Sequence, residues 1–143
     1  MKVERLKKKR YLITCENDEE EKKLEGLLKG ADPKILGMKN KKTYRIDIQD
    51  IFYIESVDKK TFIYTEQDVF ETGKRLYEFE NELHLPFLRV SKSTILNINK
   101  ISSLQADLGG RLMCNLDNHE RISISRQYAQ KFKAVLRGEE DAG

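Results

Sequence analysis

The 143-residue sequence predicts a mainly β fold of small antiparallel sheets with two short helices, preceded by a small N-terminal strand-helix segment. Two observations carry this expectation. From about residue 43 onward, short apolar stretches recur at close spacing between polar or glycine turns such as VDKK, EQD, ADLGG and DNHE, the pattern of a compact all-β unit. Helical periodicity is confined to three short segments, one of them ahead of the β-rich region.

In chain order, Tyr11–Thr14 follows a basic run and predicts a strand. The stretch DEEEKKLEGLLKG predicts a short helix: Asp18 is placed as its cap, Glu21 completes a capping box, Leu24, Leu27 and Leu28 share a face, and Gly30 is the stop. Asp32-Pro33 breaks the chain and Asn40-Lys41-Lys42 is a polar turn or linker. The boundary is therefore placed near residue 40, giving an N-terminal segment at 1–40, a β domain at 41–137 and a frayed acidic tail at 138–143. Strands are expected at 43–46, 51–57, 61–65, 69–72, 87–90, 101–105, 111–116 and 121–124. Leu76, Phe79 and Leu83 give a helix over 75–83 one buried face, and Tyr128, Phe132, Val135 and Leu136 do the same over 126–137.

Composition excludes several classes. Charged residues make up 36% and there are six Phe and six Tyr, so the chain is neither disordered nor a membrane span. After the basic start MKVERLKKKR only YLITC precedes Glu16, short of the apolar core of an export signal. Cys15 and Cys114 lie far apart and complete no metal-ligand motif with His84 or His119, which predicts no metal site and suits reduced, structural thiols in the cytoplasm. The net charge of +3 is uneven: residues 87–137 hold nine Lys or Arg against three acids, whereas residues 40–86 hold seven against ten. The chain is electrically polarised, with its basic half toward the C-terminus.

No nucleophile elbow, phosphate-binding glycine loop, dinucleotide fingerprint or metal pair is present, so no catalysis and no cofactor are expected. Three loops instead pair a long cation with short donors. VDKKT offers Lys59 and Lys60 at a hairpin tip, VSKST offers Lys92 between Ser91 and Ser93, and SISRQY offers Arg126 just after Ser125, a candidate helix cap. Cations supply salt-dependent attraction to a nucleic-acid backbone, while hydroxyls and helix N-terminal amides bond phosphate oxygens. Each feature also has an ordinary explanation: solubilising lysines at a turn, a cap at Ser125, a strand end at Ser91 and Ser93, and an Asn97 that bonds its own turn. Two other function classes fit the same loops. One is a protein-interaction module docking an acidic or membrane-protein partner; the other is single-strand binding on exposed rings among Phe52, Tyr53, Phe62 and Tyr64.

Taken together, IDIQDIFYIES, RLYEFENEL, FLRVSKSTILNINKI, GRLMCNL and ISISRQYAQKFK, in that order, resemble the LytTR domain, the DNA-binding module of many bacterial transcriptional regulators. The resemblance covers about Lys42 to Leu136. It implies an elongated arrangement of small antiparallel sheets whose loops enter successive major grooves of double-stranded DNA, as a homodimer on repeated half-sites. It places base contacts on Lys59, Lys60, Lys92 and Arg126, and backbone contacts on Ser91, Ser93, Asn97 and Ser125. Where the family commonly has His-Arg, this chain has Ser91-Lys92, which keeps a cation but loses the rigid fork of arginine. About 40 residues ahead of the module are too few for a receiver domain, so the chain resembles the stand-alone kind of LytTR regulator. Some of that kind resemble partners of small membrane proteins that restrain them. Residues 1–40 are then a dimerisation or regulatory segment, and no small-molecule substrate is implied.

Overall fold

The computed structural model describes residues 1–5, 11–30 and 34–138. The chain divides into two compact units, Met1–Lys34 and Ile35–Gly143. Of the expected acidic tail at 138–143, residues 139–143 lie outside the described residues. Among those described, no helix is long and apolar enough to cross a membrane.

The first unit holds β1 (Lys2–Arg5), β2 (Tyr11–Thr14) and α1 (Asp18–Gly30). β1 pairs antiparallel with β2, Val3 opposite Ile13; only β2 was expected, because KVER shows no alternation. α1 is capped by Asn17, one residue earlier than predicted, whose Oδ1 accepts the Glu20 amide at 2.9 Å. The Glu20 carboxylate in turn accepts the Glu16 amide at 2.9 Å. Leu24 is half-buried; the side chains of Leu27 and Leu28 lie outside the described residues.

The second unit is built on a seven-stranded antiparallel sheet of order β4-β3-β7-β6-β5-β9-β8. Its strands are β3 (Lys34–Lys39), β4 (Lys42–Asp47), β5 (Tyr53–Val57), β6 (Lys60–Tyr64), β7 (Val69–Thr72), β8 (Phe87–Arg89) and β9 (Thr94–Asn97). A second sheet, β10-β11-β12, comprises Ile101–Ala106, Leu112–Leu116 and Arg121–Ile124. The helices are α2 (Leu76–Glu82) and α3 (Arg126–Leu136). The mainly β expectation holds, with two additions. β3 lies ahead of residue 41 and joins this sheet, Met38 opposite Glu71, and Asn40-Lys41 turns the chain from β3 into β4 in the left-handed region, φ +52° and +63°. β9 replaces what looked like the exit of a loop.

Alternation along the strands sends successive side chains to opposite faces, and both faces of the large sheet are covered. Ile54 faces Ile63 and Ile95 across the ladder, and Ile63 faces Phe70; this row packs with Leu76 and Phe79 of α2. On the opposite face, Tyr53 and Leu96, with Leu88 beside them, pack against Leu112, Cys114, Leu116 and Ile124 of the small sheet and Ala129, Phe132 and Val135 of α3. A hydrogen bond of 2.6 Å from the Tyr53 hydroxyl to Glu120 Oε2 ties the two sheets. Tyr64 stacks on Tyr53 at 4.2 Å. Burial raises the Cys114 thiol to about 11, so the thiol stays protonated at neutral pH.

Gly37 has no room for a side chain: a Cβ would stand 2.7 Å from both Phe70 Cβ and Ile46 Cδ1. Phe70 Cβ moves only with its backbone, so Gly37→Ala is expected to destabilise the second unit by about 1–3 kcal/mol, measured by urea unfolding. A second expectation concerns alkaline pH. Burial, followed by the Glu120 bond, raises the Tyr53 pKa. The unfolded chain releases this proton near pH ~10 while the folded chain keeps it. The contribution is therefore complete below about pH 10 and declines as pH rises further. Wild type should lose unfolding free energy more steeply than Tyr53→Phe above that point; parallel curves would contradict it.

Candidate nucleic-acid interface

Asp58 and Lys59 form a two-residue turn between β5 and β6, with φ +50° and +68°. Two consecutive left-handed residues suit the right-handed twist of a hairpin, and Asp tolerates that region better than most. The tip is fixed from behind by Arg75, whose Nη1 donates to the Lys59 carbonyl at 3.0 Å. Lys59 and Lys60 are exposed. Lys60 opens β6, and its ammonium stands 3.6 Å from Glu71, an exposed pair that holds it weakly.

The second loop runs from Ser91 to Ser93 between β8 and β9. Its neck is closed by the Val90 amide bonding the Thr94 carbonyl at 3.0 Å, and Val90 and Thr94 are both buried. Ser91 Oγ accepts the Ser93 amide at 3.2 Å. Arg89 acts as an internal clamp: Nε donates to the Ser91 carbonyl at 2.7 Å, Nη2 donates to the Lys92 carbonyl, and Nη1 meets Glu80 Oε2 at 2.8 Å. Lys92 stands exposed at the apex, and among the described residues its ammonium has no ion pair.

The third element is the start of α3. Ser125 has the extended backbone of a cap residue, but its hydroxyl makes no capping bond, and the first turn contains no acid. The Tyr128 amide turns back to the Ser125 carbonyl at 3.0 Å, which leaves the Arg126 and Gln127 amides and the Ser125 hydroxyl for an outside acceptor. Arg126 is exposed, and its Nη2 lies 3.4 Å from the position a Cβ would occupy on Gly109 in the β10–β11 turn.

Backbone hydrogen bonds join the three elements. The Ser56 amide, just before the hairpin tip, donates to the Ser93 carbonyl at 2.8 Å, and the Ser125 amide donates to the Val90 carbonyl at 3.1 Å. Lys59, Lys92 and Arg126 thus belong to one connected row with the Ser91–Ser93 loop at its centre.

Asn97 does not belong to that row. It was expected among the backbone contacts, but it is 2% exposed. Its Nδ2 donates to the Ile51 carbonyl at 2.8 Å and its Oδ1 accepts the Asn99 amide at 3.0 Å. A buried amide with both ends bonded inside the protein has a structural role, the one its turn-forming chemistry had already suggested. The single-strand reading also loses its platform: Phe52 and Tyr53 are buried, and Phe62 and Tyr64 are half-buried.

Arg89 and Arg75 went unremarked in the sequence. Both act on carbonyl groups of loops, and no side-chain pattern announces where a carbonyl will turn.

Residues 41–137 match the family described as the LytTr DNA-binding domain. Sensory transduction protein LytT of Bacillus cereus is 31% identical over 93 residues, which are 64% of this chain and 38% of LytT. An uncharacterized HTH-type transcriptional regulator of Staphylococcus aureus (strain NCTC 8325) is 28% identical over 102 residues, 71% of this chain and 69% of that protein. Among solved structures, a LytTr DNA-binding domain from Bacillus cereus superposes with a TM-score of 0.69 at 28% identity, covering 72% of this chain and 95% of that one.

The chain belongs to the LytTr DNA-binding domain family. Its β-rich unit is a DNA-binding domain of the kind found in transcriptional regulators, and not an enzyme.

The Arg89 clamp makes a direct expectation. Arg89→Met keeps the aliphatic stem and removes the bonds to both loop carbonyls. Hydrogen bonds to charged groups are worth about 1.5–3 kcal/mol. Amide exchange across 91–94 should therefore accelerate by roughly ten- to a hundredfold, while the Ile54 and Ile63 amides keep their protection. Unchanged exchange would show that the loop holds its shape without Arg89.

Proposed function

We propose that this chain is a sequence-specific regulator of transcription that binds double-stranded DNA through the connected row of basic loops. The observation that carries the reading is the pair of backbone bonds, Ser56 to Ser93 and Val90 to Ser125, that tie the three loops together. Arg126, Lys92 and the Lys59-Lys60 pair read base edges in successive major grooves, where guanine O6 and N7 accept from cations. Ser91, Ser93 and Ser125 bond phosphates and fix register without carrying sequence information. Two copies act on repeated half-sites in the cytoplasm, and the unit Met1–Lys34 serves dimerisation or control.

Binding is tested by fluorescence anisotropy on duplexes from the chain's own upstream DNA across a salt series. Affinity should fall steeply with salt, with a log-log slope near 0.9 per phosphate contacted, and a footprint should span two half-sites. Arg126→Ala should lose about 1–3 kcal/mol and flatten preference at one base position, whereas Ser93→Ala should weaken all sequences alike. Absence of binding at low salt, or an Arg126→Ala protein with unchanged affinity and preference, would reject the reading.

A further inference from the structure

The turn between β10 and β11 brings a fourth element to the Arg126 end of the row. Asp107 organises it. The carboxylate accepts the amides of Gly109 and Arg111 at 2.9 Å each and the Arg111 Nε at 3.2 Å. The Asp107 amide bonds the Arg111 carbonyl at 2.8 Å, and the Gly110 amide returns to the Asp107 carbonyl at 3.2 Å. The bond from the Arg111 amide leads the effects that hold the Asp107 carboxyl below its ordinary range, so the turn keeps this bonding at neutral pH. Gly110 sits at φ +82°.

On this fastened turn Leu108 is wholly exposed, 110% by relative area, against 63% for Tyr77, the next most exposed large hydrophobic residue described. The residue that follows it, Gly109, lies against the Arg126 guanidinium. Adjacent Cα atoms are about 3.8 Å apart, and stacked base pairs repeat every ~3.4 Å. A base pair contacted by Leu108 would thus lie within about two steps of the one Arg126 reads. The chemistry of the turn narrows the contact. An isobutyl group offers a phosphate nothing, the only acid in the turn is neutralised by Arg111, and Gly109 and Gly110 present no side chain to obstruct close approach. The one apolar group that a base edge displays in the major groove is the thymine methyl.

We propose that Leu108 is a specificity-determining residue that packs on a thymine methyl group within two base pairs of the position read by Arg126. This rests on the DNA reading above, and its test separates the two. Duplexes selected by the protein from a random pool are replaced one thymine at a time by deoxyuridine, which removes only the methyl group. Affinities are then measured for wild type, Leu108→Ala and Arg126→Ala.

The selected duplexes should carry a thymine within two base pairs of the Arg126-dependent position. Its replacement by deoxyuridine should weaken wild type about fourfold, the effect of burying one methyl group. Leu108→Ala should bind both duplexes equally while melting like wild type, since an exposed turn residue contributes nothing to the core. A pool without such a thymine, a wild type indifferent to its methyl group, or a Leu108→Ala protein as sensitive as wild type overturns the inference. If Arg126→Ala still loses its base preference in those cases, the DNA reading stands alone. If Arg126→Ala loses nothing, both fall.

Discussion

The candidate interface depends on how the Ser91–Ser93 loop is held. Three consecutive polar residues between buried Val90 and buried Thr94 have no strand ladder of their own, and an unfastened loop of this kind would sample many conformations. Here its carbonyls are accounted for. The Ser91 and Lys92 oxygens accept from Arg89, and the Ser93 oxygen accepts from the Ser56 amide. Directing the carbonyls at protein donors leaves the Lys92 side chain exposed at the apex. The same bonds make the loop a link, because Ser56 precedes one basic tip and Ser125, bonded to Val90, precedes another.

That arrangement needs a rigid frame, which the double burial of the seven-stranded sheet provides. One face packs on α2 through Ile54, Ile63, Phe70 and Phe79, and the other packs on α3 and the small sheet through Tyr53, Leu96, Phe132 and Ile124. β5 and β9 contribute to both clusters, since Tyr53 and Ile54 point in opposite directions, as do Ile95 and Leu96. Asn97 closes the frame where β9 ends, by bonding the Ile51 carbonyl across the fold. The hairpin tip leaves from β5 and β6, and the Ser91–Ser93 loop leads into β9, strands that are paired on both sides, so these starting points are fixed before any side chain of a loop makes a contact.

Much of this was legible in the residues. β5, β6, β10, β11 and β12 follow apolar runs bounded by turn chemistry, and α2 and α3 follow three- and four-residue spacing. What escaped did so for identifiable reasons. KVER and KILGMK are short and carry lysine, so neither alternates clearly, and β1 and β3 are strands because a partner strand pairs with them. TILN follows SKS directly, and its hydroxyl residue hid the start of β9, although Thr94 is buried. At the site, the exposed cations were legible because a charge beside hydroxyls in a turn has few roles inside a protein. Asn97 was misplaced because an asparagine in a turn bonds a phosphate and a buried carbonyl with the same atoms.

The amino-acid sequence by itself determined the fold class, the ordered motifs of the LytTr family and the types of residue able to meet DNA. These are local properties, carried by periodicity, turn residues and charge along a few neighbouring positions. Only the tertiary structure decided that Lys59, Lys92 and Arg126 lie on connected loops, that Arg89 clamps the central one, that Asn97 is buried, and that Leu108 stands beside the Arg126 region. Those facts rest on backbone hydrogen bonds between residues tens of positions apart. The amide and carbonyl groups that form them are the same in every residue but proline, so the sequence holds no mark of which pairs will meet.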